Sequence, residues 1–262
     1  MIINYHTHTV RCRHAAPVPD AAYVEAALEM GFRELGFSDH VPYPFEDLHI
    51  SGCRMRCADL PDYMESLTAL KTQYAGRIDI HIGFEAEYYP AYFDKLLEML
   101  APYPCEYLIL GQHFINNEIG EPYNGRATDS SERMRIYGEQ CKRAMDTGRF
   151  TYFAHPDVLH FTGDEAVFRQ VSRDLCRAAK DCGLPLEFNL LGFIENRHYP
   201  RREFWEEAAC VGNEVILGWD SHQPEWIKQP QKEAEARAYL AELGLSVLDH
   251  LTLVDPFLGK RG

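Results

Sequence analysis

Seven short apolar, β-rich runs alternate along this chain with seven amphipathic stretches of helical length, and no feature constrains its fold more. The runs fall at 1–5, 34–38, 78–84, 107–110, 151–154, 185–189 and 214–218. The stretches fall at 20–30, 60–74, 92–100, 131–145, 164–182, 202–211 and 231–242. In the first of these, Val24, Ala27 and Leu28 share one face behind Pro19 and Asp20, both suited to starting a helix. Strands each followed by a helix build a parallel α/β sheet, open or closed. A closed barrel of this kind commonly occupies about 250 residues, so a chain of 262 residues suits one domain spanning 1–262. No Pro/Gly/Ser-rich linker or charge block divides it. The longer polar connections 41–59 and 115–128 are expected to lie over the active face.

The C-terminal ends of parallel barrel strands converge on one face, where catalysis sits. Metal-binding residue types stand at those ends with unusual regularity. His6 and His8 end the first run, and a period of two puts both imidazoles on one side of an extended chain. Asp39 and His40 end the second, Glu85 the third, His113 the fourth and His155 the fifth. Asp220 and His222 follow the last, again two apart, and His14 lies in the loop after the first. One histidine so placed is weak evidence; the recurrence across six strand ends is not. His49, His81, His160, His198 and His250 show no such placement. Imidazole and carboxylate donors without cysteine suit zinc, manganese or iron at a hydrolytic site. Even without Asp39, the nine remaining donors exceed the need of one ion, so two or three divalent metals are expected, with one acid bridging.

Composition narrows the function. With 46% hydrophobic and 12% aromatic residues, the chain can bury a core without disulfides. A net charge of −14 argues against a basic face for long nucleic acid. It leaves a small anionic substrate open, because bound cations reverse the field locally. The eight cysteines include no CxxC pair, and no apolar run approaches the length of a membrane helix. The opening MIINYHTH lacks a secretory pattern, so a cytoplasmic protein with free thiols is expected. No coiled-coil heptads are present to indicate an oligomer.

The ordered set H-T-H at 6–8, His14, S-D-H at 38–40, G-F-E at 83–85, G-Q-H at 111–113, A-H-P at 154–156 and W-D-S-H at 219–222 resembles the polymerase and histidinol phosphatase (PHP) family. The resemblance implies a distorted (β/α)7 barrel with up to three metals. One would be held by His6, His8, Glu85 and Asp220. A second would share Glu85 and add His113 and His155, and a third would use His14, His40 and His222. Within the family the chain is similar to the stand-alone histidinol-phosphate phosphatases, through Leu186-Glu187-Phe188-Asn189, Gly192 and Tyr199-Pro200. It departs from them where Phe193, Ile194 and Glu195 follow Gly192 in place of a basic residue.

The resemblance implies hydrolysis of a small phosphorylated metabolite, L-histidinol phosphate in histidine biosynthesis. A metal-bound hydroxide would attack phosphorus in line, with Glu85, Asp220 and His222 at the reacting group. Arg197, Arg126 or Arg133 could contact phosphate, and Gln112 and Asn189 could contact substrate at the barrel mouth. Asp157 and Asp39 could orient metal ligands or cap local backbone. Alternatives are another phosphoesterase of the family, acting on a different small phosphate or a nucleotide, or a non-catalytic metal-binding regulatory domain. An amidohydrolase-like reaction ranks last, because no lysine stands at any strand end.

Overall fold

The computed structural model describes residues 3–46 and 49–259; Met1 and Ile2 of the first expected strand lie outside the described residues. The described strands are β1 (Ile3–Asn4), β2 (Glu34–Phe37), β3 (Asp79–Ala86), β4 (Tyr107–Leu110), β5 (Leu186–Asn189) and β6 (Val215–Gly218). The main helices are α1 (Ala21–Glu29), α2 (Leu60–Gln73), α3 (Phe93–Leu100), α4 (Ser131–Asp146) and α5 (Glu165–Asp181). After β5 come the short α6 (Leu190–Ile194), α7 (Arg202–Val211), the short α8 (Pro224–Ile227) and α9 (Pro230–Glu242). Strands β1 to β4 pair in parallel and in chain order, and β5 pairs with β6 in parallel.

The expected fifth strand at 151–154 is reduced. It exchanges ladder hydrogen bonds with both neighbours: Thr151 N–H donates to Leu108 O at 2.8 Å, and Glu187 N–H donates to Phe153 O at 2.8 Å. Only Phe153 forms bridges, to Leu110 and to Leu186. The run cannot extend, because His155 turns out of it at a φ of +30°. The ring closes at its upper rim, where Ser221 N–H donates to His6 O at 3.1 Å and His8 N–H to Ser221 O at 2.9 Å. Below that rim the chain end takes over beside β6: Leu248 N–H donates to Val215 O at 2.8 Å. Seven staves thus curl into a distorted (β/α)7 barrel in which, among the described residues, the segments just after β1 and β6 meet near the mouth.

The strands read as continuous apolar runs because both of their faces are covered. Outside, α4 packs on α5 and α5 on α7, over a core that includes Phe37, Phe84, Leu110, Phe188 and Trp205. Inside lie Ile3, Tyr5, Tyr107, Ile109, Tyr152, Ala154 and Ile216, with Leu251 from the chain end. Tyr107 is the keystone of this layer. Its hydroxyl lies 2.9 Å from Tyr5 O and 3.0 Å from Phe37 O, tying three staves together. A side chain on Gly36 or Gly83 would collide with the Tyr107 ring, so both positions need glycine.

Helices α4 and α5 start on side-chain caps, whereas α1, expected to start at Asp20, does not. Ser130 accepts from Arg133 N–H at α4, and Asp164 accepts from Ala166 N–H at α5. Asp20 makes no such cap at α1; its carboxylate instead accepts from Arg11 at 2.9 Å and Ser66 at 2.6 Å. Arg11 sits in the turn between His8 and His14, so this contact anchors a loop of the barrel mouth.

Gly83→Ala should destabilise the fold by about 1–3 kcal/mol through overpacking. Tyr107→Phe should cost about 1 kcal/mol, the loss of one buried hydrogen bond. Urea unfolding tests this order; a larger loss for the tyrosine variant would contradict the packing role given to its ring.

Candidate metal centre

The nine donors anticipated at the strand ends gather in one cluster at the barrel mouth. His6 and His8 are carried there by β1, whose regular pairing stops at Asn4. The Asn4 amide fixes the departure: Nδ2 donates to His6 O at 3.2 Å and Thr7 Oγ1 at 2.9 Å, while Oδ1 accepts from Trp219 N–H at 3.0 Å. Glu85 reaches the cluster from within β3. Gly111 leaves room for it, since a Cβ there would meet the Glu85 carboxylate.

Four atoms form a compact quartet. His6 Nε2 lies 3.4 Å from Glu85 Oε2 and 3.5 Å from Asp220 Oδ1, and His8 Nε2 lies 3.5 Å and 3.2 Å from the same atoms. His6 Nε2, His8 Nε2 and Glu85 Oε2 are buried without a hydrogen-bond partner. Buried orphans of this kind are rare in folded proteins. Ligand bonds of about 2.0–2.2 Å in tetrahedral array would place donor atoms roughly 3.3–3.6 Å apart. The four nitrogen–oxygen distances match the spacing of a cation's ligands, so these residues fit a divalent metal.

Two further groups adjoin it. Glu85 Oε1 is 2.7 Å from His155 Nε2 and 3.4 Å from His113 Nε2. The other Glu85 oxygen lies 3.0 Å from His40 Nδ1, so this one carboxylate faces both sides. His14 Nε2 and His222 Nε2 lie 2.9 Å apart, with His40 within range of both. The grouping of His14, His40 and His222 anticipated for a third metal is thus brought together in space, as is that of His6, His8 and Glu85. His40 also groups with Glu85 and His113, and His155 with His6 and Asp220.

Sequence reasoning missed the residues behind this cluster. Glu187 Oε2 lies 2.7 Å from His6 Nδ1, and Glu87 Oε1 lies 3.1 Å from His113 Nδ1. Each leaves the opposite nitrogen of its ring facing the cluster, the usual support of a metal-binding histidine. Strand parity carried a signal for both: Glu87 is two residues from Glu85, and Glu187 two from Asn189. Cys12 was also missed. Its buried thiol groups with His8 and His222, so the donor set is not free of cysteine. Burial opposes ionisation of this thiol, yet His14, His222 and His8 bring its pKa down to about 2.

The carboxylates are held ionised. Burial favours a neutral Glu85, but His113, His40, His6 and His155 keep it well below the ordinary range. Asp220 behaves likewise beside His6, His8 and His222. For His6, burial opposes the charge, and Glu187, Asp220 and Glu85 together raise its pKa to about 10. His155 and Asp220 also sit at positive φ, +30° and +48°, conformations that residues other than glycine seldom adopt.

The remaining anticipated residues divide. A pocket of 480 Å³ opens over the cluster, lined by Arg197, Tyr199, Tyr123, Phe114, Leu191 and Trp226 together with Asp220 and several of the histidines. Arg197 is therefore at the mouth, 3.0 Å from Tyr199 Oη and paired with Glu195. Arg126 is exposed and does not line this pocket. Arg133 pairs with Glu121 and bonds Asn124, bracing the loop that carries Tyr123. Gln112 is buried and engaged with backbone, accepting from Tyr88 N–H at 2.9 Å and donating to Phe114 O at 2.7 Å. Asn189 lies behind the pocket wall, where it caps α6 and donates to Glu187 and Asp220. Asp157 accepts from Arg201 N–H at 2.6 Å, and Asp39 from Thr9 N–H at 2.6 Å. Asp39 Oδ1 also stands 3.6 Å from His8 Nδ1.

Fold and site together define a parallel β/α barrel with a candidate metal centre at its mouth. Residues 4–190 match the PHP domain, and the chain belongs to that family. It is 30% identical over 230 residues to a probable histidinol-phosphatase of Deinococcus radiodurans, covering 84% of this chain and 85% of that protein. It is 31% identical over 119 residues to the histidinol-phosphatase of Bacillus subtilis, covering 43% and 44%. The structure of histidinol phosphate phosphatase from Lactococcus lactis, complexed with zinc, L-histidinol and phosphate, aligns with a TM-score of 0.73 at 21% identity. That alignment covers 95% of this chain and 96% of the other, and bears on the fold.

Metal uptake should release protons. The raised pKa values of His6 and His8 mean that both carry a proton at neutral pH before a metal arrives. Affinity should therefore rise with pH up to about pH 10, where His6 deprotonates unaided. Calorimetric zinc titration in buffers of different ionisation heat reads this release; proton-neutral uptake at pH 7 would contradict it.

Proposed function

We propose that this chain is a metal-dependent phosphomonoesterase that hydrolyses L-histidinol phosphate to L-histidinol and phosphate, a step of histidine biosynthesis. The observation that carries it is the quartet in which the nitrogens of His6 and His8 each lie 3.2–3.5 Å from Glu85 and Asp220, beneath a pocket of 480 Å³. The names of its relatives in Deinococcus and Bacillus support the substrate.

His6, His8, Glu85 and Asp220 would hold one divalent ion, Glu85 with His113 and His155 a second, and His14, His40 and His222 a third. Zinc, manganese and iron all suit such donors, and the zinc in the Lactococcus complex supports zinc. Such ions would supply positive charge that stabilises the negative charge on the phosphoryl oxygens. The protein's own part is placement. Asp220 and His222 belong to the donor cluster and also line the pocket, which puts them beside a bound phosphate. Arg197 lines the same pocket with its Nε and Nη2 on Glu195 and its Nη1 on Tyr199, and brings a permanent positive charge to the phosphate site. Phe114, Leu191 and Trp226 line the pocket with apolar surface that sheds water around the reacting group.

We take residues 1–262 as one domain. A small phosphorylated metabolite fits the acidic chain better than long nucleic acid does, and no described helix is long and apolar enough to cross a membrane. Eight free thiols support a cytoplasmic setting.

Phosphate release from histidinol phosphate, compared with a panel of other monoesters and nucleotides, tests the substrate. Turnover of another ester with none of histidinol phosphate would overturn it. Asp220→Asn should lower kcat/KM by about 100-fold or more. Arg197→Gln should lower it about 10–100-fold, the worth of one charge-assisted contact. Wild-type rates in the arginine variant would remove Arg197 from the phosphate site.

A further inference from the structure

Arg54 is almost fully buried, at 2% exposure, yet it comes from a connecting loop and not from a barrel strand. Its loop neighbours Gly52 and Cys53 line the pocket. Its guanidinium meets acceptors from three directions. Nε donates to Glu118 Oε2 at 2.6 Å, Nη2 to Glu87 Oε1 at 2.8 Å, and Nη1 to Glu87 Oε2 and Val41 O, both at 3.0 Å. Glu118 belongs to the connection after β4, which also carries the pocket residue Tyr123. Glu87 is 1% exposed and supports His113 Nδ1. One buried cation therefore joins two pocket walls to a histidine of the metal cluster.

The charge balance explains why a cation is needed there. Glu87 follows Glu85 at the strand spacing that directs both carboxylates toward the same side of β3. Unpaired, Glu87 would be a buried anion beside a metal centre, strongly drawn to it. Held in the two-pronged grip of Arg54, it faces His113 instead. On the metal-centre reading above, we infer that Arg54 is a positioning residue: it keeps Glu87 on His113 and out of the metal's ligand set, and it fastens the 41–59 loop to that centre.

Zinc affinity, measured by chelator competition on the full chain, tests this in wild type, Glu87→Gln, Arg54→Met and the double variant. Either single change should weaken one of the bound zinc ions by about 10–100-fold and leave the others near wild type. The double variant should be no worse than the worse single one, because Arg54 acts through Glu87. Nitrogen NMR of the zinc-loaded protein should show a slowly exchanging proton on His113 Nδ1 that exchanges fast in Arg54→Met. If Arg54→Met does not fold, Glu87→Gln and the double variant, which removes both charges, keep the comparison. Affinities of Glu87→Gln within about twofold of wild type, or additive losses in the double variant, would overturn the inference. A wild-type chain that binds no zinc would instead remove the metal-centre reading itself, and this inference with it.

Discussion

Glu85 is a fully buried carboxylate ringed by imidazoles, and one of its oxygens makes no hydrogen bond. An isolated buried carboxylate is costly enough that such groups ordinarily neutralise or pair. This one is kept ionised by His113, His40, His6 and His155, from four different staves of the barrel. The requirement reaches outward into the fold. Gly111 must lack a side chain so that the carboxylate fits, and Gly218 must lack one so that Glu187 can reach His6. The barrel closes at the rim where His6 and His8 leave β1, so closing the fold and assembling the donors are one event.

Around that centre the structure tolerates local strain. His155 and Asp220 hold positive φ values, and each sits where a strand ends and a donor must turn into the mouth. Such conformations typically cost about 1–3 kcal/mol each and persist only where surroundings over-determine them. Here the surroundings are ion pairs and hydrogen bonds: His155 to Glu85, and Asp220 to His6, His8 and Asn189. A bound cation would add to the same restraint, because the quartet oxygens and nitrogens would then be satisfied together.

Much of this was legible in the sequence, for a physical reason. Strand period and barrel topology convert a residue's place at a strand end into a place in space, so His6, His8, His40, Glu85, His113, His155, Asp220 and His222 could be grouped without coordinates. His14 was reachable through its place in the first loop. What lay beyond reach was pairing between distant segments. Arg54 and Glu118 stand 64 residues apart, and nothing in either loop announces the partner. Gln112 and Asn189 stand at or just past strand ends, yet their amides satisfy backbone and neighbouring acids, which place in the sequence could not distinguish from substrate contact. The fifth strand was found but overestimated in regularity, since the turn forced on His155 is a tertiary demand. Cys12 carries no motif of its own among the eight cysteines, and only the folded loop sets its thiol against His8 and His222.

The proposed chemistry depends on a multinuclear metal centre built around Glu85 at the barrel mouth. Anomalous diffraction from crystals of the full chain grown with zinc would test it most directly. At least two peaks should lie in contact with Glu85, one of them bounded by His6, His8 and Asp220. Zinc found only on surface histidines such as His160 and His198, with no peak at Glu85, would contradict it.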